Sequence, residues 1–61
     1  MMELARTKNI TLFKVGRGSY ELQYALVSGT VEKYQFRTRS FAYYAFRRAA
    51  AGVDPNTIFE E

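Results

Sequence analysis

The sequence predicts an α+β fold, in which a three-stranded antiparallel β-meander is followed by one C-terminal α-helix packed on one sheet face. Three runs rich in β-branched, aromatic and leucine residues come first, at residues 8–15, 19–27 and 31–38. After them the spacing of apolar residues changes from an alternating pattern to a helical one. The chain has 61 residues, which is the size of a single small domain.

The loop Gly16-Arg17-Gly18 separates the first two runs, and it resembles both a phosphate cradle and a hairpin turn. Position 21 is Glu, which breaks the dinucleotide-binding pattern, and no Gly-Lys-Ser/Thr follows as in a P-loop. Both phosphate motifs also open a helix, whereas this loop precedes a strand-like run. The sequence therefore favours a hairpin turn, in which glycine supplies a positive φ.

Alternation within the second and third runs predicts how they pair. A three-residue loop at 28–30 places Tyr24 opposite Tyr34 and Leu22 opposite Phe36, so that apolar residues meet on one face. A two-residue loop places apolar residues opposite polar ones, because a slip of one residue turns every side chain to the other face. The hydrophobic match favours the longer loop.

The first run is apolar on both faces, so its orientation stays open. Either Ile10 and Leu12 or Phe13 and Val15 face the core.

The helix is predicted at about residues 39–51, with apolar residues at positions 41, 42, 45, 46 and 49. Thr38 or Ser40 can cap its N-terminus. Gly52 is expected to end it, and Pro55 prevents continuation. The tail, residues 53–61, is expected to begin with a turn and to pack on the core or on a dimer partner.

Composition excludes several classes of site. The chain has no cysteine and no histidine, which removes disulfides, thiolates, the commonest metal ligand and the commonest general base. The serines therefore have no histidine to activate them. We expect no enzyme activity, no catalytic residues, no metal and no cofactor.

Charge is unevenly distributed along the chain. The net charge is +3, but the nine basic residues all lie between Arg6 and Arg48, a span with two acids and a charge of +7. A basic body of this kind suits a polyanionic partner, and it also fits an ordinary soluble surface.

Two surfaces are candidate binding sites. The first is the sheet face that the helix leaves uncovered, where glutamine and arginine can contact base edges and lysine can neutralise phosphates. Its candidate nucleic-acid-binding residues are Arg17, Gln23, Lys33, Gln35 and Arg37. Glu21 counts against this surface because it adds negative charge there, and the favoured register places it opposite Arg37.

The second surface is the outer helix face, with Tyr43, Tyr44, Arg47 and Arg48 as candidate protein-interaction residues. Each tyrosine has an arginine four residues later, so each guanidinium could lie over a ring. Exposed tyrosine and arginine dominate many protein interfaces. Alternatively, one tyrosine leans into the edge of the core and the arginines are solvated.

The junction between the third run and the helix resembles that of AP2-like and integrase arm-type DNA-binding domains. Phe36, Thr38 and Ala42 match a Phe-x-Thr-x-x-x-Ala pattern, and Gly18-x-Tyr20 and Gly29 also agree with the family. The resemblance spans roughly residues 8–50. It implies a three-stranded sheet followed by a helix, with the opposite sheet face contacting DNA through the five candidate residues named above.

These observations lead to two expectations about function. The first is a small non-enzymatic, cytoplasmic protein that binds nucleic acid through the basic sheet face. The alternative is a protein-interaction module, such as an inhibitor or accessory factor from a phage or mobile element, that uses the Tyr/Arg helix face. A homodimer is compatible with either, and no membrane association is expected, because no run approaches the length of a membrane span.

Overall fold

A computed structural model of the chain describes residues 1–52, which form one antiparallel sheet and one helix. The elements are β1 (Met2–Thr7), β2 (Ile10–Gly16), β3 (Ser19–Ala25), β4 (Val31–Phe36) and α1 (Arg39–Ala50). The strands are hydrogen-bonded in the order β1-β2-β3-β4. The prediction of an antiparallel sheet with a helix on it is confirmed, but the prediction of three strands is wrong, because the sheet has four.

The additional strand, β1, precedes the first predicted run. It pairs with β2 through Thr7 opposite Ile10, which leaves Lys8 and Asn9 as the connecting turn. Lys8 takes a positive φ of 48°, a conformation in which glycine is the expected residue. The Asn9 amide donates to the carbonyl of Ala25 at 2.6 Å, and the Ala25 N–H donates to the Asn9 carbonyl at 2.9 Å. These bonds tie the β1–β2 turn to the end of β3.

The Gly16-Arg17-Gly18 loop is a hairpin turn, as predicted. Gly16 pairs with Ser19, so Arg17 and Gly18 form the tip between β2 and β3. Gly18 has a φ of 64°, which supplies the left-handed conformation that a tight hairpin needs.

The predicted register between β3 and β4 is wrong by two residues. Leu22 lies opposite Tyr34, and Tyr20 lies opposite Phe36. A shift of two residues keeps every side chain on its predicted face, because the side-chain period of a strand is two. The connection is longer than predicted because β3 ends at Ala25, and the loop is closed by two internal bonds. The Leu26 N–H donates to the Thr30 carbonyl at 2.7 Å, and the Gly29 N–H to the Leu26 carbonyl at 2.9 Å.

The core lies between α1 and the inner face of the sheet. Leu12 and Leu22 are fully buried at its centre. In the first predicted run, Ile10 and Leu12 are the residues that face the core. Phe13 lies on the outer face, where it pairs with Glu21. The buried core residues are Ile10, Leu12, Tyr20, Leu22, Phe36, Ala42, Ala45 and Ala49.

The helix agrees closely with its predicted boundaries. Thr38 is the N-cap, and its side-chain oxygen accepts a bond from the Phe41 N–H at 3.3 Å. Gly52 has a φ of 94°, and its N–H donates to the Ala49 carbonyl at 3.0 Å, as expected of a glycine that ends a helix. The predicted apolar stripe is narrower than expected, because Phe41 is 43% exposed and packs beside the Phe36 ring. The predictions for the tail, 53–61, lie outside the described residues.

The two glycines of the β2–β3 turn provide a matched test of this geometry. We expect Gly18→Ala to reduce the free energy of unfolding by about 1 kcal/mol, because an L-residue is strained at positive φ. Gly16→Ala should be neutral or slightly stabilising, since its φ is not positive and nothing lies within 4 Å of an added Cβ. Urea denaturation of the two variants checks this, and equal effects would contradict the turn assignment.

Candidate nucleic-acid interface

The sheet face opposite α1 brings together three of the five candidate nucleic-acid-binding residues. Gln23 on β3 lies directly opposite Lys33 on β4, and Gln35 lies two residues further along β4. Lys33 and Gln35 are exposed, and Gln23 is half-buried. The prediction that these three side chains share a face is therefore confirmed. We call this surface, formed by Gln23, Lys33, Gln35 and the adjacent Glu21, the β3–β4 face.

Glu21 is the centre of a hydrogen-bond network on the β3–β4 face. Its carboxylate accepts a bond from Gln23 Nε2 at 2.6 Å and another from Gln35 Nε2 at 2.7 Å. The residue is 9% exposed, since the two glutamines flank it and Phe13 pairs with it from β2. The predicted pairing with Arg37 is wrong, because the two-residue shift of register places Gln35 opposite Glu21 instead.

The network keeps Glu21 ionised. The hydrogen bond from Gln23, followed by that from Gln35, lowers the pKa of the Glu21 carboxyl below its ordinary value, and the nearby Lys33 ammonium adds to this effect. Burial acts in the opposite direction and is outweighed. Both glutamine amides therefore donate to a permanently charged acceptor at neutral pH.

The uncovered sheet face carries balanced charge. On β1, Arg6 forms an ion pair with Glu3 at 2.8 Å. Both residues lie on this face, because they are paired with Thr11 and Phe13 of β2, which lie on it. Glu21 and Lys33 are the charged residues of β3 and β4 on the same face. The two acids thus offset the two bases, and any excess positive charge must come from residues outside this face of the strands.

Positive charge is concentrated instead at one end of the sheet. Arg17 is exposed at the tip of the β2–β3 turn, and Arg37 follows β4 directly. The turn and the strand end are adjacent, because a Cβ added to Gly18 would lie 3.9 Å from the Arg37 carbonyl oxygen. Lys14, opposite Tyr20, and Arg39, the first residue of α1, are exposed at the same end. We call the set Lys14, Arg17, Arg37 and Arg39 the basic end.

The fourth strand affects how the sheet could meet a duplex. Four strands spaced about 4.8 Å apart give a sheet about 14 Å wide between its outer backbones, whereas a B-DNA major groove is about 12 Å wide. The candidate residues on the β3–β4 face, Gln23, Lys33 and Gln35, belong to β3 and β4, and β4 is an edge of the sheet. The residues of interest thus lie toward the β4 edge of the sheet, and β1 forms the opposite edge.

The outer helix face differs from its prediction in one respect. Tyr44, Arg47 and Arg48 are exposed, whereas Tyr43 is half-buried against the core. The sequence allowed Arg47 and Arg48 to lie over the tyrosine rings or to be solvated, and in residues 1–52 the guanidinium found over a tyrosine ring is that of another arginine. Arg39, one turn earlier in the helix, lies over the Tyr43 ring at 5.6 Å from its centroid. The Tyr44 ring lies 6.2 Å from that of Phe41.

Residues 1–52 contain neither a metal-ligand cluster nor a membrane-spanning helix. Within this range, no three of the acidic side chains come together as a potential metal site. Residues 1–52 contain one helix, α1, which is not long and apolar enough to span a membrane. Every buried side-chain nitrogen and oxygen of the described chain has a hydrogen-bond partner.

Sequence reasoning missed two features of the interface. It treated Glu21 as an obstacle to binding rather than as the centre of a network, because the register error hid its contact with Gln35. It also missed the contribution of Lys14 and Arg39 to the basic end. The positions of both follow from the β2–β3 hairpin and from the helix start at residue 39.

Comparisons with protein-family models, with curated proteins and with solved structures each returned no match for this chain.

The Glu21 network predicts a specific pH dependence of stability. A carboxyl whose pKa is lowered in the folded state stabilises the fold above its unfolded pKa, about 4.3, and this contribution is lost as the pH falls through the folded pKa. We therefore expect Glu21→Gln to lose roughly 1 kcal/mol of stability relative to wild type at pH 7, and the difference to shrink at pH 3.

Urea denaturation at both pH values measures this difference. Glu3→Gln is the matched control, since that carboxylate is exposed and its ion pair with Arg6 should contribute little. A stability difference between wild type and Glu21→Gln that is the same at pH 7 and pH 3 would contradict the network.

Proposed function

We propose that this chain is a non-enzymatic nucleic-acid-binding protein, in which the β3–β4 face contacts the bases and the basic end contacts the phosphates. The observation that carries the proposal is the placement of Gln23, Lys33 and Gln35 on the sheet face that α1 leaves uncovered, with Arg17 and Arg37 at one end of it. The same face is the one that the resemblance to AP2-like and integrase arm-type domains implies.

The division of charge supports this orientation. A polyanion gains little from the strand residues of the uncovered face, because Glu3 and Glu21 offset Arg6 and Lys33. The basic end offers four cations, and no acidic residue occurs in the first turn of α1. Phosphate contacts supply most of the affinity in protein–nucleic acid complexes and carry no sequence information. Affinity should therefore depend on the basic end, and selectivity on the β3–β4 face.

The β3–β4 face has the chemistry that base contacts require. Glutamine amides can hydrogen-bond to base edges, and lysine can donate to guanine or to a phosphate. A two-stranded ribbon fits a major groove. Because Gln23 and Lys33 are directly paired and Gln35 follows on the same face, their side chains form a short row that a groove floor could meet.

A salt titration tests the proposal. Binding of labelled duplex DNA should weaken steeply between about 50 and 200 mM salt. Each phosphate contact contributes about 0.9 to the magnitude of the slope of log K against log salt. We expect Arg17→Ala/Arg37→Ala to make that slope less steep by about 2 and to reduce the affinity for duplex DNA. The matched control is Arg47→Ala/Arg48→Ala, which removes the same charge from the other end of α1.

Equal effects of the two double variants would show that net charge alone drives binding, and would contradict a defined basic end. The proposed function would be refuted if the protein, at micromolar concentration and folded by circular dichroism, bound neither DNA nor RNA in duplex or single-stranded form.

A second function, as a protein-interaction module, is favoured by one observation on the helix. Tyr44 is 43% exposed, and its ring meets that of Phe41, which is exposed to the same extent, while Arg47 and Arg48 lie one turn further along. Aromatic and arginine side chains together form the centre of many interfaces. Under this alternative the sheet face is a solvated surface.

Self-association offers a first test of the alternative, since a second copy of the chain is a partner that can be tested without further identification. If the helix face is a homodimer interface, sedimentation should show a dimer, and Tyr44→Ala should raise its dissociation constant at least tenfold. This is the effect of losing a central aromatic contact worth about 1.4 kcal/mol or more. Thr11→Ala on the sheet is the control. A monomer at all concentrations would exclude this form of the alternative.

A further inference from the structure

The orientation of the two glutamine amides on the β3–β4 face is fixed by Glu21. An ionised carboxylate can only accept hydrogen bonds, so each glutamine must present its Nε2 to it, as the distances of 2.6 and 2.7 Å describe. Reversing either amide would place a carbonyl oxygen against a charged carboxylate and would lose a charge-assisted hydrogen bond. The amides of Gln23 and Gln35 therefore have one favoured orientation.

This orientation determines which atom each amide offers to a ligand. Each Oε1 is left with no protein hydrogen bond among residues 1–52, while one hydrogen of each Nε2 is already engaged. Gln35 is exposed. Gln23 is half-buried, but its Oε1 is not among the buried polar atoms that lack a partner, so this oxygen keeps some exposure to solvent. A glutamine without such a partner can turn either end of its amide outward and can suit donors and acceptors equally.

We propose that Glu21 is a positioning residue that holds Gln23 and Gln35 with their amide oxygens outward, so that the β3–β4 face selects base edges that carry amino groups. This inference rests on the proposed function and adds a base preference to it. In the major groove the amino groups are adenine N6 and cytosine N4, whereas guanine and thymine present acceptors there. An outward carbonyl oxygen accepts a hydrogen bond from an amino group of adenine or cytosine, but it faces an acceptor lone pair on guanine or thymine.

The arrangement also discriminates against the wrong base. A guanine O6 or a thymine O4 placed against a fixed Oε1 leaves two acceptors facing each other, and the penalty for a buried acceptor without a donor exceeds the gain from a typical hydrogen bond. Glu21, although it does not need to touch the nucleic acid, would in this way set the preference through its two neighbours.

Adenine analogues test the inference directly. A short alternating A·T duplex is compared with one in which 2-aminopurine replaces adenine, which moves the amino group from the major to the minor groove and keeps two base-pair hydrogen bonds. A third duplex carries 7-deazaadenine, which keeps N6 and loses the N7 acceptor. We expect wild type to bind the 2-aminopurine duplex about 3- to 10-fold more weakly than the parent, the effect of losing a hydrogen bond, and to be less affected by 7-deazaadenine.

The variant Glu21→Gln completes the test. Its neutral amide can accept from one glutamine but presents its own N–H₂ to the other, which must then turn its oxygen inward. We expect the penalty for 2-aminopurine to fall to within about twofold in this variant, as one amide loses its fixed orientation. Circular dichroism confirms the fold. The comparison among duplexes in the wild-type protein needs no variant, so it decides the inference even if Glu21→Gln fails to fold.

The outcomes separate the inference from the proposed function. Equal binding of wild type to the parent and 2-aminopurine duplexes, a larger loss with 7-deazaadenine than with 2-aminopurine, or an unchanged penalty in Glu21→Gln would overturn the role of Glu21 while leaving nucleic-acid binding in place. Failure of wild type to bind any of the three duplexes would remove both.

Discussion

The packing of three alanines of α1 against the leucines at the centre of the sheet determines which face of this protein is available to a partner. Ala42, Ala45 and Ala49 are almost completely buried, as are Leu12 and Leu22 beneath them. Small side chains at helical spacing let the helix lie close to the sheet, where it excludes water from the inner face. A domain of this size buries a modest share of its surface, and within residues 1–52 this contact determines which sheet face the helix leaves uncovered.

The uncovered face is organised around an anion rather than a cation. Glu21 is nearly as buried as the core residues, yet it lies on the side without a helix, where Phe13 and two glutamine amides cover it. Burying a carboxylate is unfavourable unless its oxygens are hydrogen-bonded, and the two amides meet that requirement. The result is a pre-ordered polar surface, which reduces the conformational entropy lost when a ligand is bound.

The faces of the strands could be predicted from the sequence, whereas their number and their exact pairing could not. Alternation of apolar and polar residues assigned Leu22 and Gln23 correctly to opposite faces, and the change of period located α1. The strand β1 was missed because its residues include Glu3 and Arg6 and because the turn that follows it has Lys8, not glycine, at positive φ. Charged residues and a turn without glycine give no strand signal.

The register error had a physical cause with consequences for the site. Pairing Tyr24 with either Tyr34 or Glu32 keeps the same faces, so alternation alone could not distinguish the two registers. Matching of apolar pairs favours Tyr34, whereas the sheet pairs Tyr24 with Glu32 and the loop at 26–30 is closed by its own hydrogen bonds. The sequence located Gln23, Lys33 and Gln35 on one face, which periodicity alone can do. It could not reveal that Glu21 holds both glutamines, because that depends on the true register.

Mapping a bound nucleic acid onto the folded chain by nuclear magnetic resonance would show whether the β3–β4 face and the basic end form the binding surface. A labelled sample would be titrated with duplex DNA at low salt while the backbone and glutamine side-chain amide signals are followed. We expect the largest shifts on Gln23, Lys33 and Gln35 and on Arg17 and Arg37 of the basic end, with small shifts along the outer face of α1. Shifts confined to the region around Tyr44 and Arg48 would contradict this expectation.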